Sequence, residues 1–144
     1  MVGKKGTHFG KSEFRKQDVV EIALGGCIMG FPAAVTEEVW ALGAELTLTH
    51  ALLFSLASLF FLAVLIYTLH GHSESQQSRK AFVLRVLTTY SVTLLIAGLL
   101  LFGIDRLELL QDPLVALKRT FLVAFPASFA ATVVDSIGGN GTDE

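Results

Sequence analysis

Four apolar stretches alternate with short polar ones along this chain. Residues 51–69 and 86–104 contain no Asp, Glu, Lys or Arg, and each is about the length that crosses a bilayer as a helix. Two shorter uncharged runs flank them, at 22–36 and 120–134. At about 1.5 Å per residue each of these covers only about 22 Å, less than a hydrocarbon core of about 30 Å. A soluble protein could bury one long apolar helix. Two, flanked by two more apolar stretches, leave too little polar surface to cover an outside facing water. The pattern predicts membrane helices over 19–40, 48–70, 82–104 and 113–137, here called segments one to four.

The expected fold class is therefore all-α: a polytopic membrane protein, a four-helix transmembrane bundle whose first and fourth helices are kinked by proline. Pro32 and Pro126 each lack an N–H and crowd the carbonyl four residues back, so each is a candidate hinge. Pro113 suits the first turn of segment four, with Asp112 as its cap. A polar arm at 1–18 precedes the membrane domain at 19–137, and a flexible polar tail follows at 138–144.

Composition agrees. Of 144 residues 52% are hydrophobic and 17% charged, against about 25% charged in soluble domains. The net charge of −2 comes with no basic patch interleaved with aromatics, so no nucleic-acid partner is expected. Cys27 is the sole cysteine and forms no intrachain disulfide. There is no phosphate-binding loop, dinucleotide glycine fingerprint, HExxH or nucleophile elbow. Hence no enzyme, catalytic residue, cofactor or metal centre is expected. Lys4, Lys5, Lys11, Arg15 and Lys16 precede segment one, and Arg79, Lys80 and Arg85 follow segment two. The positive-inside rule then places both termini in the cytoplasm of a multi-pass cell-membrane protein. Tyr67 and Tyr90 fall at the predicted inner depth and Trp40 at the outer edge, where it would anchor the interface.

The candidate chemistry is acidic. Segment one runs into Thr36, Glu37 and Glu38, and a carboxylate at the edge of hydrocarbon is costly unless it meets water, a proton, a cation or a basic group. Gly26, Gly30, Ala34 and Glu38 are spaced four apart and drift slowly around one helix face. The three small residues would let another backbone approach closely, leaving Glu38 at the mouth of that contact. One reading makes Glu38 an ion-binding residue, with Glu37 beside it and Thr36 supplying a hydroxyl. The other ends segment one at Thr36 and leaves both glutamates wet. Asp135 carries the same two readings near the end of segment four. Carboxylate and hydroxyl oxygens suit a proton or a hard cation such as Ca²⁺, Mg²⁺ or Na⁺. Lys118 and Arg119 are expected to snorkel. The hydroxyl-rich run Thr88 to Thr93 either lines a polar path or bonds its own helix.

The sequence Phe31-Pro32-Ala33-Ala34 echoes in Phe125-Pro126-Ala127-Ser128. In a four-crossing topology the two would be antiparallel broken helices, the arrangement of inverted-repeat transporters. The run Gly30-x-Pro32-x-x-x-Thr36-x-Glu38-x-Trp40 resembles the signature of a prokaryotic family of integral membrane proteins of unknown function, and Pro126-Ala127-Ser128 is similar to that family's later Pro-Ala-Ser helix. The resemblance covers segments one and four, and the middle in hydropathy alone. It implies a bacterial or archaeal multi-spanning protein and gives Pro32, Thr36, Glu38 and Trp40 weight as a unit. Glu37 stands where the family pattern is apolar, which favours Glu38 over it. The expected function is a cation or proton channel or transporter that assembles as a homo-oligomer in the lipid bilayer. The alternative is a non-transporting scaffold or accessory subunit of a larger membrane complex.

Overall fold

Each apolar stretch is helical. The computed structural model describes residues 16–70, 79–107 and 109–138. In chain order it contains α1 (Lys16–Ala34), α2 (Glu37–Glu45), α3 (Leu48–His70), α4 (Arg79–Gly103) and α5 (Pro113–Gly138). No strand occurs among the described residues. The arm at 1–15, the polar loop at 71–78 and the tail at 139–144 lie outside them. α3, α4 and α5 are each long and apolar enough to cross a membrane; α1 and α2 qualify only as a pair bent by 79°. The described residues thus make an all-helical fold, with three candidate spans, or four if the bent pair makes one.

The exterior is apolar and the interior is partly polar. Leu53, Leu56 and Phe60 of α3 and Leu84, Leu95, Leu99 and Phe102 of α4 are exposed, while Ser58, Thr89, Thr93, Ser128 and Thr132 are buried. That inversion suits lipid as the surrounding solvent. Lipid tails supply no hydrophobic drive between helices, so close packing and polar contacts hold the bundle together.

α5 is the central element and touches each of the other four helices, α1 most extensively. Its buried positions are mostly small: Ala116, Ala124, Ala127, Ser128, Ala131 and Thr132. α1 answers with buried Gly25, Gly26, Gly30 and Ala34. At Gly25 the approach is backbone to backbone. A Cβ there would stand 2.7 Å from the Ala130 carbonyl oxygen and 2.7 Å from the Ala131 Cα. Toward one end, Ala34, Ala97, Leu101, Val123 and Ala124 form an apolar core. A second core, of Leu62, Ile66, Val86 and Tyr90, joins α3 to α4. Tyr90 is buried there, and its hydroxyl meets that of Ser55 at 2.8 Å, so it is not the interfacial anchor its depth implied.

The turn between α4 and α5 is defined by its hydrogen bonds. The Arg106 N–H donates to the Leu101 carbonyl at 2.9 Å and the Asp105 N–H to that of Phe102 at 3.1 Å. This is a Schellman closure, with Asp105 at the left-handed position that glycine usually fills; its φ is 58°. Asp112 then caps α5, accepting from the N–H groups of Leu114 at 3.1 Å and Val115 at 3.3 Å.

Segment one divides differently from the expectation of one helix to residue 40. α1 continues through Pro32 and stops at Ala34, and the 79° bend falls at the two residues before α2. Thr36 is extended there, at φ −83° and ψ 133°. α5 runs through Pro126 as a single helix.

Candidate functional site

Polar groups gather at two levels. The first is built around the bend. The last carbonyls of a helix have no partner within it, and here two side chains supply one. The Thr36 hydroxyl donates to the Ala33 carbonyl at 2.7 Å, and the Trp40 indole N–H donates to that of Ala34 at 2.7 Å. The spacing Thr36-x-x-x-Trp40 therefore closes α1 from both sides of the break. The Schellman turn carries Arg106 over the Trp40 ring, its guanidinium carbon 4.0 Å from the ring centroid, in a cation–π contact.

α5 completes this level with two cations. Lys118 and Arg119 are 8% and 6% exposed. The Lys118 ammonium donates to the carbonyls of Leu46 at 2.9 Å and Ala44 at 3.3 Å, where α2 ends and its dipole is negative. Arg119 donates to the carbonyls of Trp40 at 3.3 Å and Arg106 at 2.8 Å. Gly43 allows the Arg119 side chain to pass, because a Cβ there would collide with the Arg119 Cγ. Neither residue snorkels outward. Sequence reasoning missed this role because backbone carbonyls, the partners, leave no trace in residue identity.

Glu37 and Glu38 occupy the first turn of α2 and are exposed. Thr36 caps α2 through its backbone alone, since its hydroxyl is turned to Ala33. The structure therefore does not gather Thr36, Glu37 and Glu38 around one point. Among the described residues no group of three His, Cys, Asp or Glu side chains is arranged to hold a metal ion. Gly26 faces Thr93 and Ile96 of α4, Gly30 faces Leu100 and Ala127, and Ala34 lies in the apolar core.

The second level is an ion pair between two candidate spans. The Arg85 guanidinium of α4 donates to an Asp135 carboxylate oxygen of α5 at 2.6 Å, with side chains 21% and 4% exposed. Asp135 is thus the one expected acid that the fold buries. Its arginine partner is 50 residues away in sequence, and nothing local in the sequence pairs them. Asp135 lies about 4.5 Å from the end of α5 and Arg85 about 9 Å from the start of α4 at ~1.5 Å per residue. A hydroxyl seam runs inward from the pair. Thr89 and Thr93 follow Arg85 at four-residue steps, while Thr132 and Ser128 precede Asp135 at steps of three and four; all four are buried. Such steps keep each set on one helix face. Thr93 bonds the carbonyls of Thr89 and Tyr90, Ser128 that of Phe125 and Thr132 that of Ser128, so each oxygen retains acceptor capacity. The seam ends against the core of Ala97, Leu101, Val123 and Ala124.

Comparison with curated proteins and with solved structures finds no match. Comparison with family models does. The model described as "Putative integral membrane protein (DUF2391)" matches residues 4–134, so this chain belongs to that integral membrane protein family.

Proposed function

We propose that this protein moves a proton or a small hard cation across the cell membrane, with Asp135 as the carboxylate that receives the ion and Arg85 as its resting counter-charge. The reading rests on one observation: Asp135 is 4% exposed and paired with Arg85 at 2.6 Å on two helices long enough to cross. Burying the Asp135 carboxylate between membrane helices is expensive, and the part-buried Arg85 offsets that cost. An arriving proton or cation displaces Arg85 and takes its place. The buried hydroxyls of Thr89, Thr93, Ser128 and Thr132 offer oxygen contacts along the next turns, and the apolar core beyond them holds the path shut at rest.

The far level suits an outer mouth. Glu37, Glu38 and Glu45 on α2 are exposed and draw cations toward that end, while Lys118 and Arg119 are occupied by carbonyls behind them. With both termini cytoplasmic, Arg79, Lys80 and Arg85 lie on the inner side, as the positive-inside rule requires. A bundle this small gains an enclosed path by self-association, so the working unit is a homo-oligomer.

Flux decides. Purified protein in liposomes is expected to dissipate an imposed proton or cation gradient faster than empty vesicles, and Asp135→Asn to slow it severalfold while the protein stays folded. No flux of H⁺, Na⁺, Mg²⁺ or Ca²⁺ refutes transport, as does full flux in Asp135→Asn. The second reading, a non-transporting scaffold or accessory subunit, is favoured by one feature: the cations of both levels are engaged by internal partners, as a static lock would have them.

A further inference from the structure

We infer that the start of α4 holds one anionic phospholipid, its phosphate against Arg79 and Lys80 and an acyl chain along Val83, Leu84 and Leu87. These five residues line a shallow groove of about 370 Å³. They fall at steps of one, three, one and three residues, hence on one continuous face of the helix. The face is polar in its first turn and apolar for about the next turn and a half, a total length of about 12 Å. That is the order of chemistry in a phospholipid, head before tail. Val83, Leu84 and Leu87 are 52%, 64% and 51% exposed, so no other helix covers the apolar part.

The charges argue for an anionic lipid. Three basic residues lie in the first two turns of α4, and they divide. Arg85 turns inward to Asp135. Arg79 and Lys80 are exposed, and among the described residues no acid pairs with either. Two uncompensated cations at the edge of an apolar groove match a headgroup of net negative charge better than a zwitterion. Free phosphate fits the two cations but leaves the apolar part of the groove empty, so the lipid is the occupant.

Native mass spectrometry of the protein released from nanodiscs of equal phosphatidylglycerol and phosphatidylcholine tests this. The wild type is expected to retain phosphatidylglycerol over phosphatidylcholine by about tenfold, since each basic residue at an anionic surface contributes roughly a factor of five and the two share one headgroup. Arg79→Gln/Lys80→Gln should bring the ratio near unity, and the charge-keeping exchange Arg79→Lys/Lys80→Arg should preserve it. Equal retention by the wild type overturns the inference. So does undiminished preference in the double glutamine variant, or loss of the preference on adding millimolar inorganic phosphate. The outcome is independent of any ion flux.

Discussion

Adjacent glycines on α1 should respond in opposite directions to the same substitution. At Gly25 an added Cβ would meet the Ala130 carbonyl oxygen at 2.7 Å, the Ala131 Cα at 2.7 Å and the Ala130 carbonyl carbon at 3.0 Å. All three are backbone atoms of α5, and no rotamer change relieves them. Ordinary contact needs about 3.5 Å, so α1 and α5 would have to part by close to an ångström along their most extensive contact. Overpacking of this kind costs about 1–3 kcal/mol. At Gly26 the nearest atoms are the Ile96 Cδ1 at 3.4 Å and the Thr93 Cγ2 at 3.6 Å, which is normal contact with side-chain ends. There the helix-propensity gain of about 0.5–1 kcal/mol from Gly to Ala remains. Gly25→Ala is therefore expected to be destabilising by about 1–2 kcal/mol net, and Gly26→Ala neutral or slightly stabilising. For a chain of this size each kcal/mol moves the melting temperature by about 2–5 °C. Thermal unfolding in detergent can be followed through Trp40, the only tryptophan. If Gly26→Ala lowers the midpoint as much as Gly25→Ala does, the packing argument fails.

Two further outcomes follow from the turn and the bend. Asp105→Gly should raise stability by about 0.5–1 kcal/mol, because glycine takes the left-handed conformation without a Cβ penalty; an unchanged or lower melting midpoint would contradict the Schellman assignment. Lys118→Met keeps the apolar stem but strips the Ala44 and Leu46 carbonyls of their donor, and should cost about 1–3 kcal/mol. Hydrogen exchange should quicken at α2 well before α3, and equal α2 protection in the wild type and the variant would count against the role of Lys118 at the α2 end.

Much of the fold was readable in the sequence because membrane insertion depends on local hydropathy. Uncharged runs at 51–69 and 86–104 and the Asp112-Pro113 pair name helices and a cap without reference to anything distant. The bend was less readable. Pro32 advertises a break, yet the axis turns after Ala34, where Thr36 and Trp40 accept responsibility for the α1 carbonyls. Glycine spacing pointed to Gly26 and Gly30, whereas the tightest approach is at Gly25, because helix crossing depends on the partner's backbone as well as on residue spacing. The polar levels were the least readable. Asp135 is visible as an acid, but Arg85 as its partner, and main-chain oxygens as partners of Lys118 and Arg119, exist only once α2, α4 and α5 have converged.

The central place of α5 also bears on how the protein is made. α1 leaves the ribosome well before its principal neighbour, α5. About eighty residues separate them, which is about 4–16 s of synthesis at ~5–20 residues per second. Once α4 has emerged it covers part of the glycine face of α1, and Arg85 waits for its carboxylate. A nascent chain halted before α5 is thus an unfinished membrane protein with an exposed notch and an unmatched cation, the kind of surface that an insertase shelters and a quality-control protease recognises. Arrival of α5 ends that exposure in one step.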